Sequence, residues 1–172
     1  LIQKFKPVRN KFSSDKYISN LKSLVNKINY EKEEKISNEI YVILDNIIYD
    51  TSLIEKFLNF ILLKCEVDVI YNQIYSRIIK KTIIKNISLK KILATLLYKR
   101  YEFVFETEDI FVINGYLNSL IILFKESMIE KIIINKITNR IINIIKIDKN
   151  IEYIFVLCHL LKSIDLTTNE EL

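Results

Sequence analysis

The sequence predicts an all-α protein, an α-solenoid built from antiparallel helix hairpins. Half of its 172 residues are hydrophobic, which is enough to build a core. Glycine and proline occur only once each, whereas β-sandwiches, barrels and doubly wound α/β folds use these residues in turns and ligand loops. Apolar residues also recur at helical spacing between short polar breaks. Together these features predict roughly eight long helices joined by short loops.

The chain begins with a basic stretch, residues 1–12, which contains the only proline and has no helical period. We interpret this stretch as an N-terminal arm and residues 13–172 as the helical domain. The first helix is predicted from Ser13 to about Lys27, because Ser13-Ser14-Asp15 supplies a hydroxyl cap and early negative charge. The later helices are separated by polar joints: Asn29-Tyr30-Glu31, Asp50-Thr51-Ser52, Cys65-Glu66-Val67-Asp68, Lys85-Asn86-Ile87-Ser88, Glu106-Thr107-Glu108-Asp109 and Asp148-Lys149-Asn150.

Between these joints, each segment has an apolar stripe with the period of a helix. The clearest stripes are Ile36, Ile40, Ile43, Leu44 and Ile47; Leu89, Ile92, Leu93, Leu96 and Leu97; and Ile110, Ile113, Leu117, Leu120, Ile121 and Phe124. Many stripes are wide, as expected when a helix packs both on its hairpin partner and on the neighbouring hairpin. Because no strict sequence repeat accompanies them, the predicted solenoid is HEAT-like and not tetratricopeptide-like.

Charge and cysteine content indicate the class of protein. The net charge is +5 and the pI about 9.0, which permits contact with nucleic acid. Cys65 and Cys158 are far apart in apolar settings and form no CxxC pair, so we interpret both as reduced core thiols. No signal peptide and no apolar run of roughly 18 residues are present. We therefore expect a soluble, cytoplasmic protein that has no membrane partner.

No group of residues predicts catalysis. His159 is the only histidine, and it directly follows Cys158, so the two side chains point in different directions on a helix. The glutamates at 31, 33 and 34 fit a solvated first helical turn. The single Gly115 cannot form a phosphate-binding loop, and no metal-ligand spacing occurs. We expect no enzyme activity, no catalytic residue, no metal, no cofactor and no small-molecule substrate.

A cluster of cations in the middle of the chain is a candidate RNA-binding ridge. Its members are Lys80, Lys81, Lys85, Lys90, Lys91, Lys99 and Arg100, and tyrosines 71, 75, 98 and 101 are interleaved with them. Such a ridge can hold RNA phosphates and stack bases. The alternative interpretation is a solubilising face, on which lysines at helix C-termini satisfy backbone carbonyls.

Several segments, taken in order, resemble the middle domain of eukaryotic translation initiation factor 4-gamma. They are Ser19–Ile28 with Asn26-Lys27-Ile28, Val69–Tyr75, Leu89–Leu93 followed by Tyr101-Glu102, Gly115–Met128 with Leu123-Phe124-Lys125, and Leu157–Ile164. The resemblance extends over residues 15–166. Two features depart from the family pattern: Asp165 replaces a glycine, and no Thr-Pro follows Ile28. The family domain also continues for several more helices, so we expect a shortened domain or a fragment.

The resemblance implies a translation initiation scaffold that binds and activates a DEAD-box RNA helicase of the initiation factor 4A type. Its implied partners are that helicase, mRNA and other translation initiation factors. Phe5-Lys6-Pro7 resembles the aromatic–x–Pro element that touches the helicase in this family, although these residues also fit a basic tail with a chance Phe and Pro. Phe5, Pro7, Asn26 and Lys27 are therefore the candidate helicase contacts. The alternative is a basic RNA-binding or mRNA-processing and decay module of the same broad family, acting with another partner.

Overall fold

The computed structural model describes residues 11–149 and 151–168, and within these residues the chain is helical with no strand. The α-helices are α1 (Lys11–Val25), α2 (Glu33–Ile47), α3 (Thr51–Val67), α4 (Asn72–Lys85), α5 (Leu89–Glu106), α6 (Ile110–Lys125), α7 (Lys131–Asp148) and α8 (Ile151–Thr168). Short 3₁₀ helices, Tyr30–Lys32 and Val69–Tyr71, precede α2 and α4. The predicted all-α class and the number of helices are confirmed.

The helices form hairpins that stack in two layers, as in an α-solenoid. Helices α1, α3 and α5 pack side by side in one layer, while α2, α4, α6 and α8 do so in the other. The closest packing joins the layers, between α3 and α6. Each inner helix therefore touches its hairpin partner and its neighbours, which explains the wide apolar stripes. The α1–α2 and α3–α4 loops meet at one end of the solenoid, where Tyr30 bonds to Ile70, and the α2–α3 and α4–α5 loops meet at the opposite end, where Asn86 bonds to Ile48.

Aspartates and left-handed residues define several helix boundaries. The Asp50 carboxylate accepts a hydrogen bond from Leu53 N at the start of α3, and the Asp109 carboxylate accepts one from Phe111 N at the start of α6. Glu108, Ser127 and Lys149 have positive φ values of 53°, 58° and 51° in the loops after α5, α6 and α7. The chain therefore uses non-glycine residues where helices usually end on glycine.

Two predicted boundaries differ from the structure. Helix α1 begins at Lys11 and ends at Val25, so the last two residues assigned to the arm are helical and Ser13 lies inside the first turn. Helix α3 continues to Val67, through the polar joint predicted to begin at Cys65. That joint was misplaced because Glu66 is a buried residue that pairs with Arg100 and does not face solvent.

The two cysteines lie in different environments. Cys65 is fully buried in the core, whereas Cys158 is exposed on α8. The prediction of two core thiols was therefore wrong for Cys158. The reason is that α8 has two apolar faces, and only the one formed by Tyr153, Val156 and Leu160 is buried. Among the described helices, none combines the length and the apolarity needed to cross a bilayer.

Candidate functional site

The candidate helicase contacts that the structure describes lie in the α1–α2 loop. Asn26 and Lys27 are both exposed there. Lys27 also lines an open groove of about 440 Å³ between α1 and α2, together with Asn20, Ser23, Leu24, Glu39, Val42 and Ile43. Phe5 and Pro7, the other two candidate contacts, lie outside the described residues. Asn26 and Lys27 are therefore the two that can be related to the surrounding surface.

Beside these two residues lies an exposed apolar surface, which we call the loop patch. It consists of Tyr30, Val67, Val69 and Ile70. Their exposed fractions are 58% for Tyr30, 77% for Val67, 48% for Val69 and 73% for Ile70. The α1–α2 and α3–α4 loops carry these side chains, at the same end of the solenoid as Asn26 and Lys27. A contiguous apolar surface of this kind is typical of a binding site for another protein.

Direct contacts between the two loops hold the loop patch in place. The Tyr30 hydroxyl donates a hydrogen bond of 2.5 Å to the Ile70 carbonyl oxygen. The Tyr30 and Tyr71 ring centroids are 5.5 Å apart. Below the loops, an ion pair of 3.0 Å joins Arg77 of α4 to Glu33 of α2. The apolar side chains are thus presented on a surface that is ordered before any partner binds.

The cations of the predicted RNA ridge are mostly engaged within the chain. Lys80 pairs with Glu126 at 2.9 Å, Lys85 pairs with Asp45, and Lys99 lies 3.8 Å from Glu55. The Lys81 ammonium lies 3.7 Å from the centroid of the Tyr41 ring. Lys90 and Lys91 are exposed in the first turn of α5, and within the described residues no ion pair involves them.

The structure also divides the predicted ridge. Lys80, Lys81, Lys85, Lys90 and Lys91 lie towards the end of the solenoid that carries the α4–α5 loop. Lys99 and Arg100 lie about 13 Å further along α5, at a rise of 1.5 Å per residue. Of the four interleaved tyrosines, 98 is exposed and 75 is buried, while 71 and 101 are half-buried. The predicted ridge therefore extends from the α4–α5 loop to the middle of α5, and its cations do not all lie at one end of the solenoid.

Arg100 belongs to a buried network that sequence reasoning missed. Its Nε donates hydrogen bonds of 2.9 Å to both carboxylate oxygens of Glu66, and its Nη2 donates one of 2.5 Å to Oε2. The Glu66 side chain is only 6% exposed. Burial raises the pKa of the Glu66 carboxyl, and the Arg100 hydrogen bonds and charge partly oppose this shift. Arg100 therefore joins α5 to α3 and is a structural residue.

The remaining candidates for chemistry have ordinary structural roles. His159 is exposed on α8, and its Nε2 lies 3.0 Å from Asn118 Oδ1. Burial raises the pKa of the Cys65 thiol well above its usual value, which leaves it protonated and unreactive. In the part of the chain that the structure describes, no group of His, Cys, Asp or Glu side chains is arranged to hold a metal ion.

No protein-family model, curated protein or solved structure is significantly similar to this chain. The resemblance to the middle domain of initiation factor 4-gamma therefore stays a prediction, carried by the segments quoted above. The loop patch was not predicted, although its signal is visible in the sequence. Val67, Val69 and Ile70 are three apolar residues around a short break between helices, where polar residues are the usual choice.

Proposed function

We propose that the chain is a binding scaffold that grips a DEAD-box RNA helicase of the initiation factor 4A type, and that it acts in translation initiation. The observation that supports this proposal is the exposed loop patch beside Asn26 and Lys27. The resemblance assigns those two residues to the helicase contact, and the patch supplies the apolar centre that such a contact needs.

The arrangement of the patch favours a tight contact. Tyr30 and Ile70 come from different loops and are already joined by a hydrogen bond, so little conformational entropy is lost when a partner binds. The surrounding rim is polar and of mixed charge, with Lys27, Glu31 and Lys32 exposed. An apolar centre within a polar rim is the usual anatomy of a protein–protein interface.

A rigid solenoid of this kind activates a helicase by a simple means. DEAD-box helicases have two domains that must approach each other to bind ATP and RNA. A scaffold that touches both domains favours the closed arrangement, by a coupling free energy of about 1–3 kcal/mol. No catalytic group is required of the scaffold itself.

The test measures the ATPase rate of a purified 4A-type helicase with and without RNA, as the chain is added. We expect stimulation by the natural chain and about 30-fold weaker apparent binding by Ile70→Asp, since a central interface residue contributes about 2 kcal/mol. The matched control is Ile87→Asp, because Ile87 is equally exposed, at 72%, but lies at the opposite end of the solenoid. Phe5→Ala tests the arm in the same assay.

Two results would contradict the proposal. One is the absence of stimulation by the natural chain, and the other is an equal loss with Ile70→Asp and Ile87→Asp. The alternative function, a basic solenoid that chiefly binds RNA, receives little support from the predicted ridge, because five of its seven cations already have partners in the chain. The exposed, basic face of helix α7 is a better candidate for RNA binding.

A further inference from the structure

Helix α7 carries an exposed face that is basic and rich in asparagine, which we call the α7 face. Its polar members are Lys131, Asn135, Lys136, Asn139, Arg140, Asn143 and Lys146, all of them exposed. The opposite side of the helix is apolar and buried, with Ile134, Ile137 and Ile141 at its centre. No aspartate or glutamate occurs between residues 131 and 147. Between residues 131 and 147, the exposed surface of the helix thus carries only positive charge.

The cations of the α7 face differ from five of the seven cations of the predicted ridge, because among the described residues they have no partner. Within the described part of the chain, no carboxylate lies within ion-pair distance of Lys131, Lys136, Arg140 or Lys146. In the ridge, by contrast, binding an external phosphate at Lys80 or Lys85 requires an existing ion pair to be broken. Unpaired cations bind phosphates and release the condensed counterions without that cost.

We propose that the α7 face binds single-stranded RNA along its phosphate backbone. Lys131 and Lys146 are separated by about 22 Å along the helix axis, at 1.5 Å per residue, so several phosphates of one strand can be contacted together. No aromatic side chain lies on this face for base stacking. Recognition is therefore of the backbone, with no preference for base sequence.

The asparagines of the α7 face favour RNA over DNA as the ligand. An asparagine amide both donates and accepts hydrogen bonds, and the ribose 2′-hydroxyl does the same. Asn135, Asn139 and Asn143 are spaced four residues apart, so they form a row along one side of the helix. The row runs between the cations, where it can contact the sugars while the cations hold the phosphates.

An anionic membrane surface fits the α7 face less well. A helix that lies on a membrane inserts a broad apolar face between the lipids. The apolar face of α7 is already buried against the protein, and the exposed side chains that are apolar, Ile132 and Ile147, are at opposite ends of the helix. Charge alone would then have to hold the helix at the lipid surface.

The test compares two triple variants that lose the same charge. Lys136→Gln, Arg140→Gln and Lys146→Gln together remove unpaired cations of the α7 face. Lys80→Gln, Lys85→Gln and Lys99→Gln together remove paired cations elsewhere. The probe is a short, unstructured, labelled RNA, titrated without helicase between about 50 and 200 mM salt. All six positions are exposed or half-buried on helices and glutamine is a good helix former, so circular dichroism should show unchanged helix content.

We expect the α7 triple variant to bind RNA at least tenfold more weakly, with a salt slope reduced by about 2, at 0.7 per phosphate contact. The paired-lysine variant should bind nearly as well as the natural chain. An equal loss in the two variants, or binding of the natural chain to phosphatidylserine vesicles but not to RNA, overturns the proposal. The assay contains no helicase, so its outcome is independent of the scaffold function proposed above.

A third variant tests the role of the asparagines. With Asn135, Asn139 and Asn143 changed together to alanine, the charge of the α7 face is unchanged. We expect the natural chain to bind RNA more tightly than single-stranded DNA of the same sequence, and the alanine variant to lose that difference. If RNA and DNA bind the natural chain equally well, the assignment to RNA is wrong.

Discussion

At Gly115 the two layers of the solenoid approach each other closely. A Cβ atom built at this position would lie 2.6 Å from the backbone oxygen of Glu66, which is a contact that real side chains do not make. The φ angle of Gly115 is not positive, so the backbone conformation does not require glycine here. The requirement is one of space, between α6 and the last turn of α3.

We expect Gly115→Ala to destabilise the protein by about 1–3 kcal/mol, because the atom to be displaced is part of the backbone and the two helices must separate. The expected sign is opposite to that of helix propensity, which favours alanine over glycine by about 1 kcal/mol. Ala94→Gly, at an exposed site of α5, measures that propensity in the same chain. Urea unfolding of both variants checks the prediction, and an increase in stability on Gly115→Ala would contradict it.

The buried Glu66 carboxyl makes the stability of the fold depend on pH. Because burial raises its pKa above the unfolded value of about 4.3, the folded chain binds this proton more tightly than the unfolded chain does. The contribution of Glu66 to stability is therefore greatest in acid and decreases as pH rises through the raised pKa.

The comparison is with Glu66→Gln, which cannot ionise. We expect the free energy of unfolding of the natural chain, minus that of the variant, to fall as pH rises above about 4.3. Denaturant titrations across the acid range measure this difference. A difference that grows with pH would mean that the Arg100 pair stabilises the carboxylate by more than burial penalises it.

The starts of α6 and α7 can be compared, because an acidic residue precedes each helix and only one of the two residues caps its helix. Asp109 begins α6 and accepts hydrogen bonds from the backbone N–H groups of Phe111 at 2.8 Å and Val112 at 3.4 Å. Glu130 occupies the same position before α7 but makes no capping hydrogen bond. We expect Asp109→Ala to cost about 1 kcal/mol and Glu130→Ala clearly less, as measured by thermal unfolding. Equal costs would show that charge near the helix dipole, and not the cap, provides the stabilisation.

At the scale of elements, the sequence predicts the existence of helices better than their ends. The apolar period of isoleucine and leucine identifies the helices even though isoleucine intrinsically favours strands, because burial of one face outweighs local propensity. The ends are harder to predict, since this chain lacks the usual glycine. Ser127 adopts a left-handed conformation after α6 that nothing in the local sequence signals.

The candidate sites are also hard to predict from the sequence, but for a different reason. Lysines 80, 85 and 99 look alike in the sequence, but their carboxylate partners are 40 or more residues away in the chain, so pairing cannot be read from local spacing. The α7 face is easier to predict, because its lack of acidic residues is visible in the sequence. Whether a distant carboxylate reaches it depends on the packing of the whole solenoid.

The whole molecule is held together unevenly. Helices α3, α4 and α6 each pack against several neighbours, whereas the last hairpin is joined to the rest chiefly by the contact of α8 with α6. Solenoids behave as rows of units coupled to their nearest neighbours, so a terminal unit with a single interface opens before the centre does. The α7 face lies on this less tightly held unit.

We therefore expect backbone amides of α7 and α8 to exchange with solvent faster than those of α3 and α6. Two core substitutions test whether the last hairpin opens independently of the rest of the solenoid. Leu160 of α8 and Leu58 of α3 are both completely buried, so each truncation to alanine removes about 2–5 kcal/mol of local packing. Leu160→Ala should accelerate exchange in α7 and α8 while α3 stays protected. Leu58→Ala should accelerate exchange throughout, because α3 contacts most of the other helices. Hydrogen exchange followed by mass spectrometry resolves the two patterns, and uniform loss of protection in both variants would show that the solenoid unfolds as one cooperative unit.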